Sequence, residues 1–126
     1  MEAIGEFLER AGEVNLKTLQ KEFAPILVEG EAIEKAFRVI RDLFIFTNKR
    51  LILVDRQGLT GRKKVEYHSF PYASITHFSV ETPGRLDLDA DLKIWIRGNT
   101  VPIERTLKRG VDITEVQRTL ARYVLG

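Results

Sequence analysis

The stretch Asp42-Leu43-Phe44-Ile45-Phe46-Thr47-Asn48-Lys49-Arg50-Leu51-Ile52-Leu53-Val54 decides the fold. Two apolar runs, Leu43 to Phe46 and Leu51 to Val54, flank the polar tetrad Thr47-Asn48-Lys49-Arg50. Each run falls far short of the roughly 18 apolar residues that span a bilayer, and each has the length of a strand buried on both faces. The tetrad reads as the turn that joins them, so two neighbouring core strands are expected here.

The same period extends outward in both directions. From residue 33 side chains alternate, with Phe37 and Val39 set against Arg38. Downstream, Asp55-Arg56-Gln57-Gly58 closes the third strand, Gly61 loosens the loop, and Lys63 to Phe70 forms a fourth. Pro71-Tyr72-Ala73-Ser74 breaks the sheet, because proline cannot donate to a central ladder. Beyond the break Thr76, Phe78 and Val80 alternate with Ile75, His77 and Ser79, and Pro83-Gly84 turns the chain. The clearest period-two run follows: Leu86, Leu88, Ala90, Leu92, Ile94 and Ile96 against Asp87, Asp89, Asp91, Lys93, Trp95 and Arg97. Gly98-Asn99 is expected as a two-residue hairpin, with Val101 and Ile103 alternating in the last strand.

Both ends are helical in pattern. After Gly110, Ile113, Val116, Leu120 and Val124 share one stripe, and Asp112 and Glu115 occupy the two ends of a capping box. At the start, Ile4, Phe7, Leu8 and Ala11 predict one short helix ended by Gly12. Asn15 caps a second that carries Leu16, Leu19 and Phe23 and stops at Pro25. Helices this short need a docking surface, on this domain or on a neighbouring subunit. The expected organisation is a helical extension over residues 1–24 and a β domain over 25–126. The fold class is mainly β: a seven-stranded sandwich or partly open barrel capped by a C-terminal helix.

That element order is the order of the pleckstrin homology fold. Phe46-Thr47-Asn48-Lys49-Arg50-Leu51-Ile52, the Asp55-Arg56-Gln57-Gly58 turn, Tyr67-His68-Ser69-Phe70-Pro71-Tyr72-Ala73-Ser74-Ile75 and Asp87-Leu88-Asp89-Ala90 resemble the bacterial pleckstrin-homology-like family from about residue 28 to the end. These segments mark turns and strand starts, so the resemblance informs fold far more than ligand. It implies a soluble homo-oligomer, often ring-shaped, without catalysis.

Net charge is +2, but it is unevenly distributed. Residues 1–34 hold three Lys/Arg against eight Asp/Glu, whereas residues 35–64 hold nine against two. An acidic start before a basic first sheet predicts either complementarity between copies or an anion-facing surface. The anion-surface candidates are Lys49, Arg50, Arg62, Lys63 and Lys64. Lys35, Arg38 and Arg41 are a poor inositol-phosphate set, because on a strand Lys35 and Arg41 share a face that Arg38 does not.

Catalytic and metal signatures fail on their own chemistry. The chain has no cysteine, which removes thiolate sites and fits a reducing compartment, with cytoplasm the expected location. Its acidic N-terminus does not match a secretory signal. Asp87-Leu88-Asp89-Ala90-Asp91 begins like a calcium loop but places Leu92 and Gly98 where glycine and glutamate are required. His68 and His77 lack partners at metal-ligand spacing. No serine sits in a nucleophile turn and no phosphate-cradling glycine motif occurs. No enzyme and no cofactor is expected. Nucleic acid is not expected either, since Phe37, Phe44 and Phe46 read as core.

Trp95 is the exception among the aromatics, on the polar side of its strand between Lys93 and Arg97. It is the leading interface candidate, with Phe7, Leu8, Leu19 and Phe23 of the N-terminal segment beside it. The expected function is a binding or assembly module that self-associates and offers a surface to a protein partner. Weak contact with anionic membranes is the alternative.

Overall fold

The computed structural model describes residues 8–10, 13–39, 42–57, 64–84 and 89–126. In chain order its elements are β1 (Leu8–Arg10), β2 (Glu13–Val14), α1 (Leu16–Phe23), β3 (Ile33–Val39), β4 (Asp42–Thr47), β5 (Arg50–Gln57), β6 (Lys64–Pro71), β7 (Ile75–Glu81), β8 (Ala90–Ile96), β9 (Ile103–Leu107) and α2 (Ile113–Val124). Backbone contacts divide the chain into two compact units, Met1–Ser69 and Phe70–Gly126.

The first unit is an antiparallel sheet in the order β3-β4-β5-β6, as the alternation predicts. Every residue of both apolar runs is buried. On one face Ala36, Leu43, Ile45, Ile52 and Val54 form a cluster with Leu19 and Phe23 of α1. On the other, Phe37 meets Phe46 edge-on, with ring centroids 6.1 Å apart. Asn15 caps α1 by accepting from the Thr18 N–H at 3.2 Å. With Leu19 at 0% and Phe23 at 1% exposure, α1 docks on its own sheet.

The first of the two expected N-terminal helices differs. Leu8–Arg10 is a strand paired with Glu13–Val14, so at these residues a small hairpin stands where helical spacing predicted a turn of helix. Four apolar residues cover little more than two turns, too few to offset helix nucleation when a hairpin can satisfy the same backbone groups.

The second unit is the antiparallel sheet β7-β8-β9 with α2 against β7. The Pro71 break is a single 3-10 turn, Tyr72–Ser74. In β8 the expected alternation holds, with Ala90, Leu92 and Ile94 buried. Asp112 accepts from the Glu115 N–H at 3.1 Å as the α2 cap, and Val116 and Leu120 are buried. Tyr123 stacks on Tyr72 at 4.9 Å, tying α2 to the break. The connection between β8 and β9 is longer than a two-residue hairpin. Gly98 does turn the chain at φ 88°, but β9 starts only at Ile103. Pro102 has no N–H to give a ladder, and Val101 is 78% exposed.

Leu19→Ala is expected to lower unfolding free energy by about 2–5 kcal/mol, because its methyl groups leave a cavity between α1 and the sheet. A urea titration measures it, and a loss below about 1 kcal/mol would show that α1 contributes little to the core.

Candidate functional site

Two groups of side chains stand out, one in each unit. In the first, the β4–β5 turn organises a buried polar cluster. Arg50 Nε donates to Glu31 Oε2 at 2.8 Å and Arg50 Nη2 to Glu31 Oε1 at 3.0 Å, a two-pronged ion pair. The Thr47 hydroxyl donates to Oε2 at 2.7 Å and the Val28 N–H to Oε1 at 3.0 Å. The Arg50 guanidinium also donates to the Ile26 carbonyl (2.6 Å) and the Ser69 hydroxyl (3.0 Å). Beside it Asn48 accepts from the Ala32 N–H and donates to the Gly30 carbonyl.

Burial pushes the Glu31 carboxyl up, but the Arg50, Val28 and Thr47 donors and the Arg50 charge outweigh it and hold it at about 2. The cluster is a clasp that fastens the segment after α1 to the sheet. Arg50, expected as an anion-surface residue, is therefore already committed to Glu31.

In the second unit β7 and β8 present one outward row of cross-strand pairs: His77 with Trp95, Ser79 with Lys93, and Glu81 with Asp91. Because side chains alternate, these six share one face while Phe78, Val80, Leu92 and Ile94 take the other. The His77 and Trp95 rings stack at 4.2 Å and 15°. Trp95 is half-buried and His77 exposed. The Thr76 hydroxyl lies 2.9 Å from His77 Nδ1, and Lys93 pairs with Glu104 of β9 at 3.8 Å. The result is an aromatic pair standing out of a charged sheet face.

The remaining sequence candidates disperse. Lys49 and Lys64 are exposed, while Arg62 and Lys63 lie outside the described residues. Phe7 and the Leu8 side chain lie outside them too, and Leu19 and Phe23 sit in the core. Lys35 and Arg38 stand on opposite faces, opposite Phe46 and Leu43. His68 pairs with Glu66 at 2.8 Å. Asp89, from the calcium-like run, braces the chain after β9 through the Arg109 N–H (3.2 Å) and Lys108 (3.5 Å). Among the described residues no three His, Asp or Glu side chains gather as a metal site, and no helix is long and apolar enough to cross a membrane.

The sequence missed both pairings. Glu31 precedes Arg50 by 19 positions, and the His77–Trp95 register depends on how β7 pairs with β8, which no local pattern states.

Known proteins resemble this chain in sequence and in fold. The profile of the bacterial PH domain family matches residues 3–124. The chain belongs to that family. A pleckstrin homology domain from Shewanella amazonensis SB2B superposes on this bacterial PH domain with a TM-score of 0.81 at 53% identity, covering 89% of this chain and 100% of the other. A DUF1696 family protein with a pleckstrin-homology domain from Shewanella loihica PV-4 gives 0.78 at 53% identity, covering 91% and 97%. The uncharacterized protein YjqA of Bacillus subtilis (strain 168) is 50% identical over 119 residues, 94% of each chain.

The clasp has a pH signature. Because its folded value lies below the ordinary 4.5, Glu31 contributes stability that is complete above about 4.5 and lost as pH falls toward about 2. Glu31→Gln is expected to remove ~1–3 kcal/mol at neutral pH and to flatten the fall in stability between those limits. Urea titrations at a series of pH values measure both, and parallel curves for the two proteins would contradict the assignment.

Proposed function

We propose that this bacterial PH domain is a non-catalytic assembly module that works by contact, joining copies of itself through the outward face of β7 and β8. The observation that carries this reading is the His77–Trp95 pair. A half-buried indole stacked on an exposed imidazole, standing on a charged sheet face, has the make-up of an interface anchor. Charge supports it as well: outside the Glu31–Arg50 pair, which closes within one copy, the first 34 residues remain acidic and the next 30 basic, a match that suits contact between copies. On this reading the assembled copies, in a ring or another closed arrangement, present the surface that a further protein partner meets.

Anionic-membrane contact has narrower support. Lys49 and Lys64 are exposed, but Arg50 is held by Glu31 and brings no free charge to them. Liposome co-sedimentation at low salt, with and without acidic lipid, separates the readings, since such contacts are strongest there.

Trp95→Ala is expected to lower the mass found by light scattering while circular dichroism shows the sheets intact, because the side chain lies on the outward face. Unchanged mass would refute Trp95 as the anchor.

A further inference from the structure

We propose that α1 and the strap behind it, residues 15–32, form a lid over one face of the first sheet that opens as a unit of its own, with Glu31 as the latch. This is a conformational device separate from the assembly reading and does not rest on it.

The sheet can keep its structure without the lid. Its ladder runs β3-β4-β5-β6 and takes no strand from residues 15–32. The lid covers the face that carries Ala36, Leu43, Ile45, Ile52 and Val54. By alternation Phe44, Phe46, Leu51 and Leu53 belong to the opposite face. All four are buried, and none belongs to the cluster that holds Leu19 and Phe23. Opening the lid therefore leaves the ladder and one packed face in place.

The two parts of the lid are held in unlike ways. At α1 the hold is packing, through the buried Leu19 and Phe23. One bond, from the Ile33 N–H to Gln20 Oε1 at 2.8 Å, ties the same helix to the start of β3. Over the strap packing is thin: Ala24, Pro25 and Ile26 are exposed, and Val28 is 57% exposed. The β4–β5 turn fixes the strap instead. Thr47 and Arg50 hold Glu31, Arg50 also holds the Ile26 carbonyl, and Asn48 holds Gly30 and Ala32.

A segment with few buried apolar side chains, held by bonds near solvent, opens at lower free energy than a core strand. Once the strap lets go, α1 follows, because eight residues are too few to stay helical undocked. Both ends stay tethered, since β2 lies against β3 and the strap runs directly into β3 at Ile33. Gly30, at φ 80°, supplies a bend beside the latch that other residues adopt with difficulty. The open state is thus a loop anchored at both ends, and it bares an aliphatic sheet face that the closed state hides.

Hydrogen exchange of the full chain tests the lid without any ligand. In low urea, amides of residues 19–23 of the parent protein are expected to exchange with a weaker urea dependence than those of β4 and β5, because opening the lid exposes less surface than unfolding the sheet. Leu53→Val, on the face the lid does not touch, is expected to speed exchange in β4 and β5 several-fold and to leave the lid amides within about twofold of the parent. Glu31→Gln is expected to speed lid exchange about tenfold. A single urea slope for both sets of amides, or equal acceleration of both by Leu53→Val, would reveal one cooperative unit and overturn the lid. Lid amides unmoved by Glu31→Gln would overturn Glu31 as the latch.

Discussion

The grip of Arg50 on Glu31 is the constraint on which the first unit depends. Glu31 has no exposed side-chain surface, and a buried carboxylate is tolerable only when each oxygen is satisfied. Arg50, Thr47 and the Val28 N–H do this together. All three donors are available only when the segment after α1 lies across the β4–β5 turn. Closing the clasp therefore fixes where α1 sits, and α1 supplies two of the largest side chains in that core.

The turn performs several tasks with few residues. Thr47 Oγ1 accepts from the Lys49 and Arg50 N–H groups, which closes the turn, while the same hydroxyl donates to Glu31. Asn48 forms two side-chain bonds to residues 30 and 32, and its N–H donates to the Ala32 carbonyl. Asn48 and Lys49 are the exposed residues of the turn, and of these only Lys49 carries charge. A segment that reads in sequence as a basic turn is thus mostly internal bonding, which is why charge counting overstated its value as an anion surface. Counting sees the formal charge of Arg50 but not the carboxylate that neutralises it.

The second unit shows the converse. Its core face is fixed by alternation, and the outward face is left to the pairing of one strand with the next. His77 and Trp95 are unremarkable one at a time, a histidine without metal partners and a tryptophan on a polar face. Stacked, they become one rigid aromatic surface with a defined orientation. Chemistry of this kind arises from register, and the register of β7 on β8 is a property of the folded sheet.

The sequence by itself determined the strands, the break at Pro71 and the capped final helix, because each follows from a local period or a local backbone restriction. It also carried the likeness to bacterial PH domains, since turns and strand starts are local. The hairpin at the N-terminus and the late start of β9 escaped it: short apolar spacing does not distinguish a helical turn from a hairpin, and Pro102 outweighs the alternation of Val101 with Ile103. Only tertiary structure decided that Leu19 and Phe23 are core, that Arg50 serves Glu31, and that His77 backs Trp95. Each joins residues of different elements, and period and propensity act within one element.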